Sequence, residues 1–240
     1  MEPIAVLFAK QSAQGIPSQA HQFPNLYQLA SQTTGDFMKL RSSPPSPFGR
    51  KVKIAAKILG LYDQITVENS DTKDPDDSLR QQNPLGKIPI LILDNGEAIY
   101  DSRVIIDYLD EIAEKSVIPA CGAARRQAQT LHSLADGIMD ASILIVYESR
   151  LRPENERSQD WVDYQTEKVD RAMIWLEDNC PSMENGINIG HIALACALGY
   201  RDLRFSSHWR DSHPKLASWL DEFEAKIPAF EQTKLNPDAS

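Results

Sequence analysis

Ile90-Leu91-Ile92-Leu93, then Asp94-Asn95-Gly96, then Glu97-Ala98-Ile99 reads as two short apolar strands closed by an Asn-Gly turn, a strong hairpin signal. Upstream, Phe37-Met38-Lys39-Leu40 is a strand candidate followed by the Ser/Pro turn Ser42-Ser43-Pro44-Pro45-Ser46-Pro47. Val52, Ala55, Ala56 and Leu59 then repeat at helical spacing, and Gly60 supplies the stop. Ile65 to Val67 is a second strand, and the polar stretch Asp71 to Asp77 leads into a short helix ending near Asn83-Pro84. After the hairpin, Val104, Ile105, Tyr108, Leu109 and Ile112 share one helical face. The order is therefore β-α-β-α-β-β-α. Helical crossovers join the first strands and a hairpin joins the last two, which makes the sheet mixed.

Ser116 to Gly122, with Pro119 inside it, reads as a linker, and everything beyond it is helical by period. Leu131, Leu134, Ala135, Ile138, Ser142 and Ile145 line a long helix broken near Pro153, and Val162, Val169, Met173 and Leu176 line a second that ends before Cys180-Pro181. A third starts at Asn188 as N-cap, with Ile187 and Ile192 placed as a hydrophobic staple. It runs on through Ala193-Leu194-Ala195-Cys196-Ala197-Leu198, apolar nearly all round, and so belongs at the buried centre of a helical bundle. His191 stands where a capping box would carry an acid, so the reciprocal half of that box is expected to be lost. His213-Pro214 opens a last helix with Leu216, Trp219, Leu220 and Phe223, and all four Trp, in this half, are expected in the core.

Composition sets outer limits. The chain has 240 residues and a formal net charge of -9, with 42% hydrophobic and 25% charged residues, which excludes global disorder and collagen-like repeats. The acidic balance argues against nucleic acid or an anionic membrane as partner, since both need a basic face. Cys121, Cys180 and Cys196 have neither CxxC nor Cys/His spacing, so a disulfide framework and a metal site are not expected and a reducing cytoplasm fits best. Residues 1–37, with six Gln, three Pro and no sustained period, read as a poorly ordered extension or as sequence upstream of a natural start at Met38.

The order of these motifs is recognisable. Ser46-Pro47-Phe48-Gly49-Arg50-Lys51-Val52, Asn83-Pro84-Leu85-Gly86-Lys87-Ile88-Pro89 before a hairpin, Tyr100-Asp101-Ser102 opening a helix, and Ile187 to Ala193 together resemble a cytosolic glutathione S-transferase. His213-Pro214-Lys215-Leu216 through Pro228-Ala229-Phe230 looks like that family's terminal helix, and Leu134 to Ala141 and Arg150-Leu151-Arg152-Pro153 are similar to a bacterial subgroup. The resemblance covers residues 38 to about 232. It implies a thioredoxin-like glutathione-binding domain over 38–115, a linker over 116–122, an all-helical bundle over 123–232 that shapes a second-substrate pocket, and a tail over 233–240.

The resemblance also implies roles. Ser46, the slot facing the glutathione sulfur, becomes the catalytic candidate, with Ser43 as the second choice. Without that context Ser46 reads as an ordinary N-cap before Pro47 at the first helical position. Ile88-Pro89 would be a cis peptide whose backbone pairs with glutathione like an added strand, although an X-Pro bond alone reads trans. Asp101 and Ser102 would receive the γ-glutamyl end, and Phe48 and Lys87 complete the glutathione-binding set. Arg50, Lys51, Lys53, Lys57 and Arg103 lend positive potential, with solvated charges as their plain reading. Tyr147 can face the second pocket. The implied protein is a cytoplasmic homodimer that conjugates glutathione, its cosubstrate, to electrophilic small molecules in detoxification. Two alternatives are a non-catalytic ligand carrier or scaffold of the same fold, and a glutathione-dependent isomerase or peroxidase.

Overall fold

A computed structural model describes residues 37–206 and 208–235. The expectations for the extension before Phe37 and for the tail beyond Leu235 lie outside the described residues. Four strands, β1 (Met38–Ser42), β2 (Ile65–Asn69), β3 (Ile90–Ile92) and β4 (Ala98–Ile99), form one sheet in the order β2-β1-β3-β4. β1 pairs parallel with β2 and antiparallel with β3, and β3 pairs antiparallel with β4. This is the mixed, thioredoxin-like sheet the motif order implies.

Helix α1 (Pro47–Leu59) follows β1. Ser46 caps it, its Oγ accepting from the Gly49 N–H at 3.1 Å, Pro47 takes the first helical position, and Gly60 ends it at φ 78°. Val52, Ile54, Ala55, Ala56 and Leu59 face the core. Gly49 allows α1 to lie close to β1: a Cβ there would stand 2.0 Å from Ser42 Oγ. Helix α2 (Leu79–Gln82) is one turn, and the Asp71–Ser78 segment before it is fastened to β1 by buried Arg41. That guanidinium donates to Ser70 Oγ at 2.7 Å and Gln82 Oε1 at 2.9 Å, and pairs with Asp77.

Helix α3 (Ser102–Ile112) buries Ser102, Ile105, Ile106 and Leu109. Its inner face is rotated from the one read off the sequence. Val104 and Ile112, expected inside, are about half exposed.

The remaining helices are α4 (Gly122–Leu151), α5 (Gln159–Asp178), α6 (Ile189–Phe205), a single turn α7 (Trp209–Ser212), α8 (Pro214–Lys226) and α9 (Pro228–Gln232). α6 packs against α4 and α1, and Ile189 to Leu198 are buried without interruption. Its N-terminus corrects one expectation. Asn188 Oδ1 accepts from the Gly190 and His191 N–H groups, and His191 Nδ1 accepts from the Asn188 N–H at 3.2 Å. The capping box is complete, because a neutral imidazole offers one nitrogen lone pair. The Trp expectation divides: Trp209 and Trp219 are buried, whereas Trp161 and Trp175 on α5 are exposed.

Ser42 Oγ is buried with no hydrogen-bond partner. Gly49→Ala is expected to lower stability by about 1–3 kcal/mol through overpacking. On a Ser42→Ala background the loss shrinks, since the nearest remaining atom, Cβ of residue 42, lies 3.2 Å away. Denaturant unfolding of the two single variants and the double variant measures this. Ser42→Ala alone is expected to be neutral or stabilising, because it removes an orphaned buried hydroxyl.

Candidate functional site

The strand registers gather the candidate residues at one end of the sheet. Arg41 pairs with Ile90 and Leu91 with Ile99, so the registers run on to Ser42 and Pro89 one position further and to Asp101 two residues beyond Ile99. Ser42 leads through the Ser/Pro turn to Ser46 at the start of α1, and Asp101 is the N-cap of α3, its carboxylate accepting from the Arg103 N–H at 2.9 Å. Two helix N-termini therefore open on the same edge, with Pro89 just before the strand between them. Free N–H groups and aligned peptide dipoles give such an edge positive potential.

The Ile88–Pro89 peptide is cis, and so is Tyr100–Asp101. Pro89 is buried and Ile88 half-buried. Lys87 is exposed, and its carbonyl accepts from Asn83 Nδ2 at 2.9 Å, which closes the turn before β3. Ser102 is 2% exposed, under the first turn of α3. Phe48 packs against the core, with Lys51 Nζ 5.3 Å from its ring centre.

Ser46 is half-buried and lines a cavity of about 240 Å³ together with Pro44, Arg50, Tyr200, Leu203 and Phe230. Its Oγ serves as acceptor in the cap, which leaves the hydroxyl proton free to donate. Ser43 does not cap the helix; its carbonyl accepts from the Ser46 N–H at 3.1 Å within the turn. Tyr147 is exposed on α4.

Beneath this edge lies a cluster that the sequence reading passed over. Lys51, expected as a solvated charge, is fully buried. Its ammonium donates to Asp136 Oδ1 at 2.6 Å and to His132 Nε2 at 2.8 Å, and Arg103 Nε reaches Asp136 Oδ2 at 2.7 Å. One carboxylate thus joins α1, α3 and α4. Burial, and then Lys51, push the His132 pKa down to about 4, so the ring is neutral and Nε2 can accept. A signal was present: Lys51 lies four residues before Ala55 on the apolar face of α1, and His132 and Asp136 are one turn apart on the buried face of α4.

Among the described residues, no group of three or more His, Cys, Asp or Glu side chains is placed to hold a metal ion, and no helix is long and apolar enough to cross a membrane.

A thioredoxin-like sheet followed by helices, with two helix N-termini and a cis-proline at one edge, defines a class of protein that the comparisons identify. Residues 45–112 match the family model of the glutathione S-transferase N-terminal domain. The GST-like protein YibF of Escherichia coli (strain K12) is 34% identical over 191 residues, 77% of this chain and 92% of its own length. A glutathione transferase family member of Pseudomonas fluorescens Pf-5, solved with bound glutathione, is 41% identical over 83% of this chain and 99% of its own, with a TM-score of 0.79. A second structure of a Pseudomonas fluorescens Pf-5 family member carries S-(propanoic acid)-glutathione, at 40% identity and a TM-score of 0.75, over 83% of this chain and 100% of its own. The chain belongs to the glutathione S-transferase family.

The His132 pair of pKa values sets a pH dependence. Between about 4 and 6.5 the unfolded chain carries the proton and the folded chain does not, so stability rises with pH across this window and falls on acidification. The full effect is of order 3 kcal/mol. Denaturant unfolding between these two pH values should show the slope, and His132→Asn should flatten it.

Proposed function

We propose that this chain is a glutathione transferase in which Ser46 stabilises the glutathione thiolate for attack on an electrophilic small molecule. The observation that carries the reading is the position of Ser46: N-cap of α1, oxygen engaged by the Gly49 N–H, proton free, facing a cavity. A donor hydroxyl together with the positive end of a helix favours the thiolate over the thiol. Lowering a thiol pKa near 8.5 by two units takes about 2.7 kcal/mol, within reach of one charge-assisted hydrogen bond and a helix terminus. With an aryl halide as electrophile, the C–S bond forms as the carbon–halogen bond breaks and halide leaves with the electron pair.

The sheet edge supplies the rest of the glutathione site. The Ile88 backbone, before cis-Pro89, pairs with the cysteinyl residue as an added strand, and the α3 N-terminus with Ser102 takes the γ-glutamyl carboxylate. Asp101 attracts the γ-glutamyl ammonium, and Lys87 and Phe48 border the site. Residues 38–115 hold glutathione and 123–232 shape the second pocket. A homodimer covers Val104 and Ile112, the apolar side chains left on the outer face of α3. Glutathione-bound relatives at 41% identity support the cosubstrate, and three free cysteines suit a reducing cytoplasm.

Ser46→Ala is expected to keep glutathione affinity within a few-fold, to raise the pKa of the bound thiol, and to slow conjugation of a generic aryl halide about 10²-fold. Ser43→Ala should behave like the parent. Thiolate ultraviolet absorbance against pH and steady-state kinetics measure both. Equal slow rates in all three proteins, with glutathione bound, would give the carrier reading the stronger case.

A further inference from the structure

Arg50 is the unusual cation of the Ser46 cavity. It sits one helical turn beyond Ser46, and its guanidinium lies 3.9 Å from the Phe230 ring centre. Nη2 donates to the Phe230 carbonyl at 2.6 Å and Nε to Thr233 Oγ1 at 3.3 Å. Nη1 donates to no described residue, and among the described residues no carboxylate stands within ion-pair distance of Arg50. The other cations lining the cavity are neutralised: Arg210 pairs with Asp202 and Asp221, and Lys234 with Glu224 and Glu231. Gly199 makes room for the guanidinium, since a Cβ there would fall 2.8 Å from Nη1 and 3.2 Å from Phe230 Cζ. A largely desolvated guanidinium with no carboxylate in contact, acted on only from beyond ion-pair distance by Glu224 and Glu231, stands on the same cavity wall as the thiol-activating candidate and is a receptor for an anion of the second substrate.

We propose that Arg50 selects the second substrate by binding its carboxylate, so that the favoured electrophiles are small molecules bearing a carboxylate a few atoms from the carbon that glutathione attacks. The inference rests on the glutathione reading above and adds a specificity-determining residue to it. Arg50 has a structural task as well, tying α9 to α1, and the carbonyl and hydroxyl it already binds hold the guanidinium plane in place.

The test uses two inert conjugates of nearly equal size, S-(2-carboxyethyl)glutathione and its amide S-(2-carbamoylethyl)glutathione, titrated calorimetrically into the full chain alongside glutathione itself. The wild type should bind the acid about tenfold more tightly than the amide, with the preference shrinking as salt rises. Arg50→Gln should bring the ratio close to one while glutathione affinity changes less than about twofold, and Arg50→Lys should retain part of the preference. If Arg50→Gln does not fold, the wild-type ratio and the Lys variant still decide. Equal or weaker binding of the acid by the wild type overturns the proposal, and so does a preference that survives in Arg50→Gln. A wild type that binds neither conjugate nor glutathione overturns the glutathione reading first and this inference with it. Glutathione binding without acid preference overturns this inference alone.

Discussion

The carboxylate of Asp136 is the constraint around which the molecule is arranged. It is buried, and it receives Lys51 from α1 and Arg103 from α3 while His132 stands beside it on α4. A lone charge in that position would cost several kcal/mol, so the three helices are held to one relative placement by the need to keep it paired. α1 carries Ser46 at its N-terminus and α3 carries Asp101 and Ser102 at its own. Fixing α1 against α3 from below therefore fixes the spacing between the two helix ends above, the spacing on which the glutathione site proposed above depends.

Element order and the mixed sheet were legible in the sequence because each rests on a local rule, whereas the candidate site residues came only from the family resemblance. An Asn-Gly hairpin, a Ser-Pro helix start and an apolar run after an Asn cap declare themselves within a few residues. What stayed hidden depends on partners far along the chain. Lys51 reads as a surface charge until Asp136, eighty-five residues later, is brought against it. Arg50 reads the same way until Phe230 and Thr233 arrive. The α3 face was misread by one position because apolar Val104 and Ile112 flank the inner row, and period alone does not say which apolar residues another surface covers. Trp161 and Trp175 were misplaced for a related reason, since large apolar side chains are common at protein surfaces.

Under the proposed function a single group serves fold and chemistry together. Ser46 begins a helix by accepting one N–H, an arrangement found at countless helix starts, and that role leaves its hydroxyl proton uncommitted. Nothing in the cap has to be given up for the hydroxyl to become a donor to an anion. Pro89 is similar: it stands immediately before β3, where a missing N–H costs the sheet no ladder hydrogen bond.

The imidazole of His191 ties the start of α6 to the dryness of its surroundings. A carboxylate in that slot keeps an acceptor oxygen even when protonated, whereas a protonated imidazole has none, so the exchange exposes α6 to acid. Burial holds the His191 pKa below its ordinary value, which moves that exposure away from neutral conditions. The apolar surroundings that make α6 the centre of the helical region thus also make a titratable residue acceptable at its end. The imidazole at position 191 keeps its acceptor only while the site stays dry, so loosening the packing against Trp219 would raise the His191 pKa and expose the start of α6 to milder acid.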